Sequence, residues 1–236
     1  MNNYIFINDK KSTEISGLII LTLPPISKPR KRTKKEEIDG VDGDIITELG
    51  YEAYDKEIKI GLAKHYDVDE VIEYFDAKGK IVFSNEPDKY YNFEIIDEID
   101  FERLLRYKTA TVKVHVQPFK YCNEQCDKIA NITDEKEIIV NNGGNIYSKP
   151  IITIYGTGTI NLSLNDEQMF VIDLGNEKQI TIDIEKMEAY NQETKLLKNR
   201  LVTGNYDNFR LKKSKNIISW TGAITKIVVS KYSRWI

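Results

Sequence analysis

Cysteine, histidine and carboxylate spacing decides what chemistry this sequence could support. Cys122 and Cys126 stand four apart, which brings two thiols to one face only if the segment is helical, and a structural zinc site takes about four ligands. His115 is the nearest further ligand. It sits in an alternating run with Val112, Val114 and Val116 on one side and Lys113, His115 and Gln117 on the other. That run reads as a strand with His115 on its solvent or subunit-contact side, and the cysteines read as free thiols. The acidic hexapeptide Asp39-Gly40-Val41-Asp42-Gly43-Asp44 has the wrong rhythm for calcium. An EF-hand loop needs oxygens at its first, third and fifth positions and glycine at the sixth.

Catalytic patterns are equally sparse. Gly156-Thr157-Gly158 lacks the third glycine of a dinucleotide fingerprint and precedes strand alternation instead of a helix. The sequence contains no P-loop, HExxH or GxSxG. Neither His65 nor His115 adjoins a plausible nucleophile, and carboxylate pairs drawn from 37 acidic residues are abundance, not signal. No enzyme, cofactor or metal is expected. The one conspicuous charge pattern is a basic run, Arg30, Lys31, Arg32, Lys34 and Lys35, followed by Glu36, Glu37, Asp39, Asp42 and Asp44. With acidic neighbours and no interleaved aromatics, it reads as a solvated or protein-contacting segment, not a phosphate site.

The bulk properties narrow the classes further. A formal charge of −3 provides no field for holding phosphates by counterion release, so sequence-specific nucleic-acid binding is not expected. Two cysteines in 236 residues cannot make a secreted disulfide framework. The apolar stretch Leu18 to Leu23 is stopped by Pro24-Pro25, far short of the ~20 residues of a membrane span. It follows Asp9 and Glu14 instead of a basic region, so the chain reads as soluble and made in the cytoplasm.

The elements that must position these residues are mostly strands. Fourteen tyrosines together with frequent Ile, Val and Thr favour pleated, half-buried surfaces. One helix is readable: Asp67 as N-cap, Asp69 and Glu70 in the first turn, apolar Val68, Val71, Ile72 and Phe75, and Gly79 as terminator. Strands follow over Ile81 to Phe83, Tyr90 to Ile96 and the valine alternation, which Pro118 ends. Between Pro24 and Asp44 the spacing predicts a long loop or extended hairpin, with Gly40 or Gly43 supplying a positive φ. Loops beyond ~12–15 residues are uncommon in compact domains and usually functional or disordered. Past the polar stretch from Lys120 to Ile129, short alternating strands and Gly/Asn turns predict a β-sandwich, in which Trp220 and Trp235 pack in the core. The expected domains are residues 1–130 and 131–236.

Taken in order, these strings resemble the distal tail protein family of long-tailed phages that infect Gram-positive bacteria. The resemblance is carried by Leu23-Pro24-Pro25-Ile26, the basic segment, Val41-Asp42-Gly43-Asp44, Gly50-Tyr51, Lys78-Gly79-Lys80-Ile81 and Glu86-Pro87-Asp88-Lys89-Tyr90-Tyr91. Val116-Gln117-Pro118-Phe119-Lys120-Tyr121, Asn141-Asn142-Gly143-Gly144, Ser148-Lys149-Pro150, Ile154-Tyr155-Gly156-Thr157-Gly158 and Lys215-Asn216-Ile217-Ile218-Ser219-Trp220 continue it. It implies a mainly β protein: an N-terminal tail-tube-like domain with one helix, then a C-terminal galectin-like sandwich. It also implies a non-enzymatic role in the virion's tail tip, assembled in the host cytoplasm, with the N-terminal domain closing a homohexameric ring. The implied partners are tail tube protein on one face and a tail-associated hub protein on the other, with a receptor-binding protein as a further candidate. The ten charged residues from Arg30 to Asp44 are the expected subunit or tube interface. A tube or other tail component is the alternative within this class, and a carbohydrate-binding adhesin module is the alternative outside it.

Overall fold

The computed structural model describes residues 3–40, 42–122, 128–130 and 136–236. Two compact units emerge, Met1–Glu124 with Ile236 and Gln125–Trp235. Each has its own hydrophobic core.

In the first unit the chain forms β1 (Ile5–Ile7), β2 (Lys10–Lys11), β3 (Leu18–Thr22), β4 (Lys31–Glu37), β5 (Asp44–Tyr51) and β6 (Tyr54–Leu62). Helix α1 (Val68–Phe75), β7 (Lys78–Phe83), β8 (Lys89–Glu94), α2 (Phe101–Tyr107) and β9 (Thr109–Cys122) complete it. An antiparallel sheet runs in the order β2-β1-β7-β8-β9-β6-β3. Period-two alternation builds its core: Ile58 and Ile60 of β6 and Val112, Val114 and Val116 of β9 are fully buried on one face. Asp67 caps α1 by accepting from the amides of Asp69 and Glu70 at 3.0 and 3.3 Å, and Val71, Tyr74 and Phe75 turn onto the core.

Three expectations change here. Gly79 does not end the helix, which stops at Phe75; it lies inside β7 at φ +131. A Cβ there would stand 2.2 Å from Asn8 Oδ1, so the missing side chain makes room for Asn8. Asn8 in turn accepts from Lys80 N at 2.9 Å and donates to Lys78 O at 2.8 Å. Pro118 does not end its strand either: β9 continues to Cys122, and the proline falls where the β8–β9 ladder shifts register. The unit also holds a second helix, α2, whose fully buried Leu104 is flanked by exposed Leu105 and Tyr107.

The second unit comprises β10 (Lys128–Ala130), β11 (Glu137–Asn142), β12 (Ile151–Leu164), β13 (Glu167–Asp173), β14 (Gln179–Asp183), β15 (Glu188–Tyr190), β16 (Val202–Gly204) and β17 (Ser214–Ser230). The long strands β12 and β17 pair with each other and organise the rest. Strand β12 pairs with β14 through Ile151–Tyr155 and with β13 through Thr159–Leu164. The change of partner falls on Gly156-Thr157-Gly158, where the β12–β17 register also shifts. A Cβ on Gly156 would sit 2.3 Å from Ala223 O, and Gly158 has φ +72. The glycine pair therefore lets one strand bend and serve two sets of neighbours, as strands do at sandwich corners. Phe170 stacks on Phe209 at 5.6 Å, and Trp220 is buried in the same core.

The two glycines separate in a stability measurement. Gly158→Ala, with open space around its Cβ, costs about 1–2 kcal/mol for the left-handed backbone alone. Gly156→Ala has no left-handed backbone to strain but must push back the facing strand, and urea denaturation should find it destabilised by at least the ~1–3 kcal/mol typical of overpacking.

Candidate assembly interface

Strand β3 ends where the chain reaches Pro24 and Pro25, which have no N–H to donate to a ladder. The chain leaves the sheet, passes Pro29, and returns on itself as β4 and β5, which pair only with each other among the described residues. Their register sets Lys31 opposite Tyr51, Lys35 opposite Ile46 and Glu37 opposite Asp44. It slips between Arg32 and Thr33, leaving Leu49 without an opposite residue. Both glycines of the connecting turn have positive φ, +82 at Gly40 and +91 at Gly43. Of the long loop or extended hairpin expected over Pro24 to Asp44, the structure has the hairpin, and its second strand continues to Tyr51.

Every residue of β4 is exposed. By alternation, Lys31, Thr33, Lys35 and Glu37 share one face with Asp44, Ile46 and Glu48, while Lys34, Glu36, Ile45 and Thr47 share the other. Both faces meet solvent, since Ile45, Ile46 and Leu49 are 51%, 58% and 55% exposed and Ile38 in the turn is 49% exposed. Lone two-stranded hairpins are marginal in water, and unpaired strand edges invite pairing with another chain. At its base the hairpin is tied by Glu52 N donating to Arg30 O at 2.8 Å. Tyr51 also meets Phe119 of β9 edge-on at 5.5 Å.

All ten charged residues singled out in the sequence lie on this element or beside it, and all are exposed. Arg30 precedes β4; Lys31, Arg32, Lys34, Lys35, Glu36 and Glu37 form it; Asp39 and Asp42 lie in the turn; Asp44 opens β5. Part of the charge is satisfied internally, through Lys31 with Glu48, Lys34 with Glu36, and Lys35 with Asp44 at 3.3 Å. The hydrogen bond to Glu48, more than its charge, raises the Lys31 pKa. Arg32 donates to Leu49 O at 3.3 Å. Sequence reasoning stopped at Asp44 and so missed Ile45, Ile46, Glu48 and Leu49. The β-branched pair Ile45-Ile46 ahead of Gly50 was the available signal.

The remaining candidates disperse. His115 Nδ1 lies 2.7 Å from Asp55 Oδ1 on the outer face of β9 and β6. Cys122 is half-buried at the end of β9, and Cys126, like Val41, falls outside the described residues. Among the described residues no cluster of three His, Cys, Asp or Glu could hold a metal, and no helix is long and apolar enough to cross a membrane.

No known family profile matches the chain, and no curated protein matches it by sequence. Solved structures do match. The Dit protein of SPP1, described as a paradigm of the hub adsorption apparatus in phages infecting Gram-positive bacteria, superposes with a TM-score of 0.68 at 15% identity, over 100% of both chains. A chain of the phage P2 baseplate in its activated conformation gives 0.53 at 9% identity, over 98% of both. The chain has a mainly β, Dit-like fold.

The internal ion pairs are solvent-facing and contribute little to folding, as exposed pairs generally do. Replacing Lys35 by Ala should leave the melting temperature of the dilute protein unchanged. A marked fall would mean that the pair with Asp44 holds the hairpin together.

Proposed function

We propose that this protein is a non-catalytic structural component of a phage tail tip, in which unit 1 closes a six-membered ring and the β4–β5 hairpin makes a subunit or tube contact. The observation that carries this reading is the hairpin. It extends from a Dit-like fold and, among the described residues, its strands pair only with each other, while it carries exposed apolar residues that a free surface element does not need. A ring requires a heterologous contact that closes on itself, and an unpaired hairpin is a direct way for a β domain to supply one. The segregated charges suit that task, because interfacial charge sets register and rejects wrong partners more than it adds affinity. The ring domain, expected over residues 1–130, and the galectin-like sandwich, expected over 131–236, would meet slightly earlier in the chain, since β10 (Lys128–Ala130) pairs with β17 of the second unit. Tail tube protein would meet one ring face and a tail-associated hub the other, and the assembled site would be the virion tail tip. An adhesin reading finds less support, because Trp220 is packed in the core and offers no sugar platform; Trp235, expected in the core as well, is only half-buried.

Negative-stain imaging and light scattering of purified protein test the ring directly, and a monomer at all concentrations would overturn it. Charge reversal addresses the hairpin. Arg30→Glu with Arg32→Glu leaves the three internal ion pairs intact, and should lower the ring fraction or tube docking. Wild-type assembly should weaken as salt rises, since exposed charges are screened beyond roughly 10 Å at 0.1 M. Replacing Ile45, Ile46 and Leu49 by Ser should abolish assembly at any salt. Rings that survive both sets of changes would mean that other strands close them.

A further inference from the structure

The segment joining β3 to the hairpin cannot hold itself in place. Pro24, Pro25 and Pro29 have no backbone donor, so carbonyls are most of what it offers. Side chains of the sheet take those carbonyls. Asn85 Nδ2 donates to Pro24 O at 3.0 Å, Lys56 Nζ to Pro25 O at 2.9 Å, and Tyr54 OH to Ser27 O at 3.4 Å. Lys56 also reaches Ser27 Oγ at 3.4 Å.

Lys56 is an unusual residue for this work, being only 4% exposed. Beside it lies Glu86, which accepts from Lys120 Nζ at 3.0 Å and from Tyr91 OH at 3.2 Å. The Lys56 ammonium stands 5.3 Å from the ring centre of Tyr54 and 5.1 Å from that of Tyr91. Lys120 and Tyr91 are themselves buried, and the Glu86 carboxylate is ion-paired with Lys120, not with Lys56. A buried charge without full compensation is costly, and the Pro25 carbonyl is the closest partner that Lys56 has.

We propose that Lys56 is a positioning residue for the hairpin: its side-chain nitrogen, donating to Pro25 O, latches residues 24–27 to the sheet and so fixes the direction in which β4 and β5 leave it. The latch deepens the assembly reading and rests on it for its purpose, but its own test needs no ring. Asn85 and Glu86, adjacent in the β7–β8 turn, make that turn the second jaw of the latch.

The latch should respond to pH. Burial pushes the Lys56 pKa down to about 8, with the nearby charge of Lys120 acting the same way and that of Glu86 opposing both. The other groups that face it, Tyr54 and Tyr91, are both pushed up by burial and stay neutral in this range. If the segment lifts, Lys56 is hydrated and its pKa returns toward 10.5. Between those two values the lifted form binds more protons than the latched form. Raising pH therefore disfavours lifting, by up to about tenfold per pH unit, and the latch is loosest below pH 8.

The test is electron–electron distance measurement between nitroxides at Thr47→Cys on the hairpin and Thr111→Cys on the sheet. The background is Cys122→Ser with Cys126→Ser, and labelled protein is diluted into unlabelled protein so that only distances within one chain are read. A single narrow distribution is expected, and Lys56→Met should lose it while retaining a cooperative melt. Asn85→Ala, an exposed change that folding tolerates, should loosen the latch partly. Its broad component should shrink as pH rises from 7 to 9.5, and adding Lys56→Met should remove that response. A distribution equally narrow in Lys56→Met overturns the proposal, as does a pH response that persists without Lys56. Should Lys56→Met fail to fold, the Asn85→Ala pH series decides alone. A narrow distribution in a protein that forms no ring would count against the assembly reading and leave the latch standing.

Discussion

Pro24 and Pro25 lack the donors that β3 would need to continue as a strand, and the most exposed element of unit 1 follows from that. A chain that cannot donate must either be hydrated or lend its carbonyls to side chains. Here Asn85, Lys56 and Tyr54 take them. The exit from the sheet is thereby held at the cost of burying an ammonium group. What leaves at that point is a hairpin that, among the described residues, pairs with no other strand and whose first strand is wholly exposed. Its direction is then set by side chains of β6 and the β7–β8 turn instead of by a ladder.

In unit 2 backbone crowding does comparable work with the opposite residue type. Gly156 and Gly222 sit where a Cβ would fall 2.3 and 2.4 Å from carbonyl oxygens of the facing strand. Their absence of side chains lets β12 and β17 bend together and hand one strand to two neighbours. In each unit one departure from regular pairing falls on Pro or Gly, at Pro118 in β9 and at Gly156 and Gly158 in β12, while those at Leu21 and at Leu162–Ser163 do not; Val, Ile and Phe fill the cores on either side. Gly156-Thr157-Gly158 thus has a conformational explanation, with no bound phosphate needed to account for it.

Sequence patterns were legible where one face of an element is buried and the other wet. The valines of β9 and the isoleucines of β6 alternate cleanly, and Asp67 announces α1 through the cap it makes. Helix α2 was not legible because one buried residue, Leu104, makes no periodicity. Strand β4 was not legible as a strand for a related reason: Lys31 to Glu37 has no buried position, so no alternation could mark it. Asp44 looked like the end of a charged loop and hid the start of β5. Lys56 was concealed by its type. It lies in phase with Ile58 and Ile60, on the core side of β6, and that phase was the only sign that this lysine is buried.

The charges of the hairpin have a second use that bears on how its apolar residues are understood. Lysines and glutamates along free edges keep strands from pairing indiscriminately, and β4 is built almost wholly from them. Such a defence explains the charged residues even on a hairpin with no partner. It does not explain Ile45, Ile46 and Leu49, because apolar residues on β5 work against it. Charge and apolarity are therefore separable clues. In the proposed interface the charged strand would limit which chains can approach and in what register, whereas the apolar strand would give an approaching chain a reason to stay. A hairpin meant only to remain in solvent needs the first property, and one meant to be covered needs both.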